Sequence, residues 1–106
     1  MARPYPVGVF APVATTFTPD GALDLDRFRA NMEWYATSSL DGIVIMGSNG
    51  EYVSLSPDEK LALIEAGVKA VAGRKPIVAG TGVESTRGTI ELTKAAAELG
   101  ANYALV

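Results

Sequence analysis

Apolar runs alternate with amphipathic stretches along this chain, and that alternation limits its folds more than any other feature. The runs fall at 7–14, 42–46 and 76–80, and a fourth opens at Asn102 or Tyr103. Short buried strands separated by helices form a parallel sheet, because each helix carries the chain back across it. Two architectures fit: a small doubly wound domain of four strands, and the first part of an eight-stranded βα barrel. The spacing of the units does not choose between them. A fourth strand without a covering helix leaves apolar faces and backbone edges open. A barrel needs roughly 250 residues to close, so this chain of 106 reads as a fragment or an incompletely represented protein.

Local signals place the elements. Pro12 interrupts the first run, which suits a strand end or an edge. Thr18-Pro19-Asp20-Gly21 reads as a turn. The first helix is expected from Asp24 or Asp26 to Ser38, with Leu25, Phe28, Met32 and Tyr35 on one apolar face. The second has the clearest start: Ser56 as N-cap, Pro57 at the first helical position and Glu59 completing a capping box. Its buried stripe is expected at Leu61, Ile64, Val68 and Val71, with Gly73 as C-cap. The third helix starts near Ser85 or Thr86, turns Leu92, Ala95, Ala96 and Leu99 inward, and ends before Gly100.

Composition excludes several chemistries. Cysteine and histidine are both absent. Disulfides, thiol catalysis and His- or Cys-based triads are therefore ruled out, and a metal site built from carboxylates alone is not expected. Chemistry must come from Ser, Thr, Tyr, Lys, Asp or Glu. The net charge is -3 and the nine basic residues are scattered, so neither nucleic acid nor a membrane surface is an expected partner. The lack of cysteine makes a cytoplasmic setting the default.

Two loops follow strands at the edge where parallel α/β proteins bind ligands. The first, Gly47-Ser48-Asn49-Gly50-Glu51, follows Ile43-Val44-Ile45-Met46. Its residues also suit a plain turn. As a ligand loop it offers the Ser48 hydroxyl and backbone N–H groups to an anion, with glycines that allow close approach. Glu51 is expected to bond loop amides. The second, Gly80-Thr81-Gly82-Val83-Glu84-Ser85, has Ser85 where a dinucleotide fingerprint has its third glycine, and Tyr103-Ala104-Leu105-Val106 offers no acidic residue. It is expected to be a second rim loop ending in a helix cap. Thr15 and Thr16 close the first strand on the same rim. Lys60, Lys69, Lys75 and Lys94 all read as solvated surface lysines, and Trp34 and Tyr35 as helix-packing residues.

Several motifs in order resemble the dihydrodipicolinate synthase and N-acetylneuraminate lyase family of class I, pyruvate-dependent aldolases. They are Gly8-Val9-Phe10-Ala11-Pro12-Val13-Ala14-Thr15, Phe17-Thr18-Pro19-Asp20-Gly21, Asp41-Gly42-Ile43-Val44-Ile45-Met46-Gly47-Ser48-Asn49-Gly50-Glu51, Leu55-Ser56-Pro57-Asp58-Glu59-Lys60, Val78-Ala79-Gly80-Thr81-Gly82 and Ser85-Thr86. The resemblance covers nearly the whole chain. It implies a (β/α)8 TIM barrel, with residues 1–106 as the N-terminal part of that single domain: about three βα units and the start of the fourth strand. It implies a homotetramer of tight dimers, no cofactor, and a 2-oxo acid (pyruvate) and an aldehyde as partners. It also implies a lysine on the sixth strand that forms a Schiff base with the ketone, the iminium acting as electron sink. By position, Gly47, Ser48, Asn49 and Gly50 would hold the pyruvate carboxylate. Ser48 would also sit in a proton relay with two tyrosines, and Thr15 would support the relay or the lysine.

Two departures bear on the substrate. Ser48-Asn49 stands where many synthases carry two threonines, and with Glu84-Ser85-Thr86 it looks more like the 4-hydroxy-2-oxoglutarate aldolase branch. Thr16 stands where the family usually has Pro. A non-catalytic half-barrel that binds a carboxylate or a partner chain is the reading from another class. The implied Schiff-base lysine lies beyond Val106. Pyruvate and borohydride are therefore expected to leave the mass of the 106-residue chain unchanged. A stable adduct on Lys60, Lys69, Lys75 or Lys94 would overturn this.

Overall fold

Strands β1 (Phe10–Pro12), β2 (Gly42–Ile45), β3 (Ile77–Gly80) and β4 (Tyr103–Leu105) pair in parallel in the order β1-β2-β3-β4. The structure is a computed structural model that describes residues 3–106. Helices α1 (Leu25–Ala36), α2 (Pro57–Val71) and α3 (Thr86–Leu99) alternate with the strands. Sequential order decides between the two architectures. A doubly wound sheet reverses direction at a switch point, and this one never does. Right-handed crossovers then put all three helices on one face, as in the first three units of a βα barrel.

Each element follows from local chemistry, with corrections to the expected bounds. β1 is shorter than the run at 7–14. Its pairing extends only to Val9, whose carbonyl accepts from Asp41 N, and Val13, whose N donates to Val44 O. Strand alternation therefore turns the N side of Pro12 away from β2, where a missing donor costs nothing. β2 stops before Met46, which takes a left-handed φ of 60°. α1 is capped by the Asp24 carboxylate on Arg27 N and ends at Ala36, two residues early. The capping box of α2 forms as expected: Ser56 Oγ accepts from Glu59 N, and Glu59 Oε1 from Ser56 N. Its C-cap is Ala72 (φ 52°), one residue before the expected Gly73. Ser85 caps α3 and Gly100 closes it in the left-handed region.

The core lies between β2, β3 and helices α1 and α2. Phe28, Met32, Ile43, Ile45, Leu63, Ile64 and Val71 are fully buried. One glycine sets the depth of this packing. A Cβ at Gly67 would stand 2.4 Å from Ile45 Cδ1 and 3.3 Å from Met32 Cε. The buried face of α2 is therefore Lys60, Leu63, Ile64, Gly67 and Val71, whereas Leu61 and Val68 of the expected stripe are half-buried. Trp34 is also corrected. It stands edge-on to Tyr35 and stays 66% exposed, while Tyr35 packs on the core. At the surface Arg74 clamps Glu33 through two hydrogen bonds, at 2.9 and 2.5 Å, and that guanidinium holds the carboxyl below the usual range. Among the described residues no helix is long and apolar enough to cross a membrane.

Phe28→Ala is expected to destabilise the fold by roughly 3–5 kcal/mol, the cost of emptying a fully packed aromatic site. Urea unfolding should give a lower midpoint at unchanged slope. A loss below about 1 kcal/mol would show that α1 is not anchored through this ring.

Candidate active site

The C-terminal ends of β2, β3 and β4 surround a cavity of about 720 Å³. Met46, Gly47 and Ser48 line it from the first rim loop. Gly80, Gly82, Val83 and Glu84 line it from the second, and Tyr52, Val53, Lys60, Leu105 and Val106 complete the wall. The two loops expected on one rim thus share one cavity. Its volume is within the range that holds small organic ligands.

The first loop is held by its own backbone. Gly47 is extended, and a short 3-10 turn covers Ser48–Gly50, closed by Gly50 N on Gly47 O (3.0 Å) and Glu51 N on Ser48 O (3.1 Å). A second such turn covers Tyr52–Ser54. Between them Glu51 adopts φ 56°. Its expected bond to loop amides is not made: the Glu51 side chain is exposed and has no hydrogen bond among the described residues. The connection across the rim comes from Thr15. Buried to 7% exposure, Thr15 donates its hydroxyl to Gly50 O at 2.6 Å. Thr16 turns the other way and donates to Asp24 O at 2.7 Å, which ties the strand end to α1.

Close backbone contact fixes how the two loops meet. The left-handed turn at Met46 aims its carbonyl at Gly80, where a Cβ would stand 2.0 Å from that oxygen. No side chain fits at 80. A buried methionine at φ 60° also carries strain, of a kind that often persists at functional sites. On the second loop, Thr81 is fully buried and its hydroxyl accepts from Thr93 Oγ1 at 2.8 Å. Val83 N donates to Thr89 Oγ1 (3.0 Å), and Ser85 Oγ accepts from Gly88 N (3.0 Å). This loop is pinned to α3 at three points.

The expected site residues separate on this geometry. Gly47 and Ser48 line the cavity, and the exposed Ser48 hydroxyl makes no hydrogen bond among the described residues. Asn49 is exposed beside the cavity lining, Gly50 is buried behind the loop, and Thr15 lies beneath it. The lysines need correction. Lys69 pairs with Glu65, and Lys94 is exposed. Lys75, however, is half-buried and donates to the Ser38 carbonyl at 2.6 Å and to the Leu40 carbonyl. Lys60 is only 9% exposed and faces the cavity. Its phase would have revealed it: Lys60 and Gly67 are two turns apart on α2, so they share the buried face. Gly80→Ala is expected to push the two loops apart. A crystal structure should then show Met46 displaced, with the thermal midpoint lowered by several degrees; an unmoved Met46 would contradict the steric account.

The sequence model of the dihydrodipicolinate synthetase family matches residues 5–106. Among curated relatives, a 4-hydroxy-tetrahydrodipicolinate synthase from Xanthomonas axonopodis pv. citri is 48% identical over 99 residues, which are 93% of this chain and 33% of that protein. Among solved structures, a dihydrodipicolinate synthase family protein from Coccidioides immitis superposes with a TM-score of 0.89 at 39% identity, covering 93% of this chain and 33% of that one. The dihydrodipicolinate synthase of Acinetobacter baumannii, solved with pyruvate, gives 0.87 at 38%, covering 92% and 33%. The chain spans about a third of the length of these proteins. With the motifs, the sequential parallel sheet and the shared rim cavity in agreement, the chain belongs to the dihydrodipicolinate synthetase family.

Proposed function

We propose that this chain is the carboxylate-binding, N-terminal part of a pyruvate-dependent aldolase or synthase that works through a lysine Schiff base. One observation carries the reading: Ser48, with its hydroxyl free, stands on a constrained loop at the mouth of a cavity formed by strand ends. The pyruvate complex of the Acinetobacter baumannii relative supports a 2-oxo acid as the ligand. The Ser48 hydroxyl and loop amides donate to the carboxylate, and Gly47 lets the backbone approach. Asn49 adds a contact once ligand is present. Thr15 acts by holding Gly50 from below.

The chemistry follows from that orientation. The carboxylate on the loop points the ketone at a lysine on the sixth strand of the complete (β/α)8 barrel. The amine adds to the ketone carbon, water leaves, and the iminium forms. Loss of a proton from the adjacent carbon gives an enamine, which attacks the aldehyde carbonyl; water then releases the product. The reverse sequence cleaves a longer keto acid. Ser48 passes protons in these steps with tyrosines supplied by the rest of the protein. The complete protein is expected to be a homotetramer of tight dimers in the cytoplasm.

A second reading, favoured by the Ser48-Asn49 pair, is cleavage of 4-hydroxy-2-oxoglutarate rather than condensation with aspartate semialdehyde. Steady-state assays of the complete enzyme with each substrate distinguish the two. In the complete enzyme, Ser48→Ala is expected to lower kcat/KM for pyruvate by about 10- to 100-fold, the value of one lost donor to a charged group. Thr15→Val should act more weakly, through loop position. Unchanged pyruvate kinetics in Ser48→Ala would rule out the loop as the carboxylate site.

A further inference from the structure

Two threonines on α3 spend their hydroxyls outside the helix. A threonine within a helix ordinarily returns its hydroxyl to a carbonyl one turn back. Thr89 instead accepts from Val83 N at 3.0 Å and donates to Val83 O at 3.2 Å, and Thr93 donates to Thr81 Oγ1 at 2.8 Å. Thr89 and Thr93 stand one turn apart, so both hydroxyls leave the same face of α3. β-branched residues are poor helix formers, yet α3 carries two where it meets the second rim loop.

What they hold leads to Ser48. Thr81 is fully buried, and a buried hydroxyl requires a partner, which Thr93 supplies. Thr81 N also donates to Leu105 O at 2.9 Å, joining the loop to β4. The residue before it, Gly80, packs on the Met46–Gly47 peptide: a Cβ there would stand 2.0 Å from Met46 O and 3.5 Å from Gly47 N. Ser48 is the next residue. Val83, beyond Gly82, lines the cavity. Residues 81 and 83 are thus tied to α3, while residue 80 bears on the left-handed turn that leads into the first rim loop. Thr15 holds that loop at Gly50.

We propose that Thr93, supported by Thr89, is a positioning residue for the reaction. By fixing Thr81, it sets where Gly80 meets the Met46–Gly47 peptide, and so where the Ser48 hydroxyl is presented. It acts through the two rim loops and touches no substrate. Its bearing on catalysis rests on the pyruvate reading of Ser48; its hold on the loop does not.

The complete enzyme tests this with Thr93→Val, which keeps the side-chain shape and removes the hydroxyl, and with Thr93→Ser, which keeps the hydroxyl. Thr93→Val is expected to raise KM for pyruvate about three- to tenfold, the span of one lost hydrogen bond, with kcat at saturating pyruvate nearly unchanged. Thr93→Ser should restore most of the affinity. In a Ser48→Ala background, Thr93→Val should add less than about twofold, because the two residues act through one chain of contacts. Mass-spectrometric hydrogen exchange should be faster in Thr93→Val over residues 46–51 as well as 80–85. Where Thr93→Val does not fold, Thr89→Val cuts the parallel attachment at Val83, and the same pattern is expected. A merely structural threonine would lower the thermal midpoint and leave KM unmoved. Fully additive effects with Ser48→Ala, or unchanged exchange over 46–51, would overturn the proposal. A wild-type enzyme that borohydride does not trap on pyruvate would instead refute the Schiff-base reading, and the exchange comparison would still decide whether α3 holds the loop.

Discussion

The close approach of α2 to β2 at Gly67 is the contact on which the rest of this structure depends. A hydrogen in place of a side chain lets Ile45 and Met32 fill the space against the helix backbone. Phe28, Leu63 and Ile64 close around that point and form the centre of the core. Because the helix is rigid, its depth at Gly67 also fixes its first turn, two turns away, over the strand ends. The packing residue and the cavity residue Lys60 therefore belong to one face of one helix. Burial of the core and placement of a charge at the candidate site are two ends of the same constraint.

A second contact, at Gly80, brings the two rim loops together. Met46 leaves the strand in a left-handed turn, and its carbonyl occupies the space a side chain at 80 would need. The strain at Met46 is held by burial and by the loop bonds beyond it, and Thr15 pins Gly50 from beneath. The result is a loop whose exposed Ser48 hydroxyl makes no hydrogen bond among the described residues and lines the cavity, while its inner groups are fixed. Preorganisation of this kind lowers the cost of ordering the site on binding.

Much of this was legible in the residues, for reasons that are local. The capping box of Ser56 and Glu59, with Pro57 between them, needs only three neighbouring residues to be recognised. Ser85 and Gly100 bracket α3 in the same way. Other features depended on partners distant in sequence. The end of β2 at Ile45 rather than Met46 reflects Gly80, 34 positions on. On α2, Ile64 and Val71 of the expected stripe are buried, but the sheet turns the face inward toward Lys60 and Gly67, so Leu61 and Val68 are left half-buried at its margin. Ala72 rather than Gly73 is the cap, its N–H donating to Val68 O, and Gly73 follows it in the left-handed region at φ 76°.

The sequence by itself determined the alternation of strands and helices, the helix starts and the identity of the two rim loops that share the cavity. These follow from hydrophobic period, caps and turn residues, which act over a few positions. Tertiary structure alone decided that the sheet runs in sequential order and that Thr15 holds the first rim loop from below. It also decided that Lys60 lays its stem on the buried face of α2 and lines the cavity wall. Each of these is a matter of which distant surfaces meet, and burial, unlike local propensity, is a property of the assembled fold.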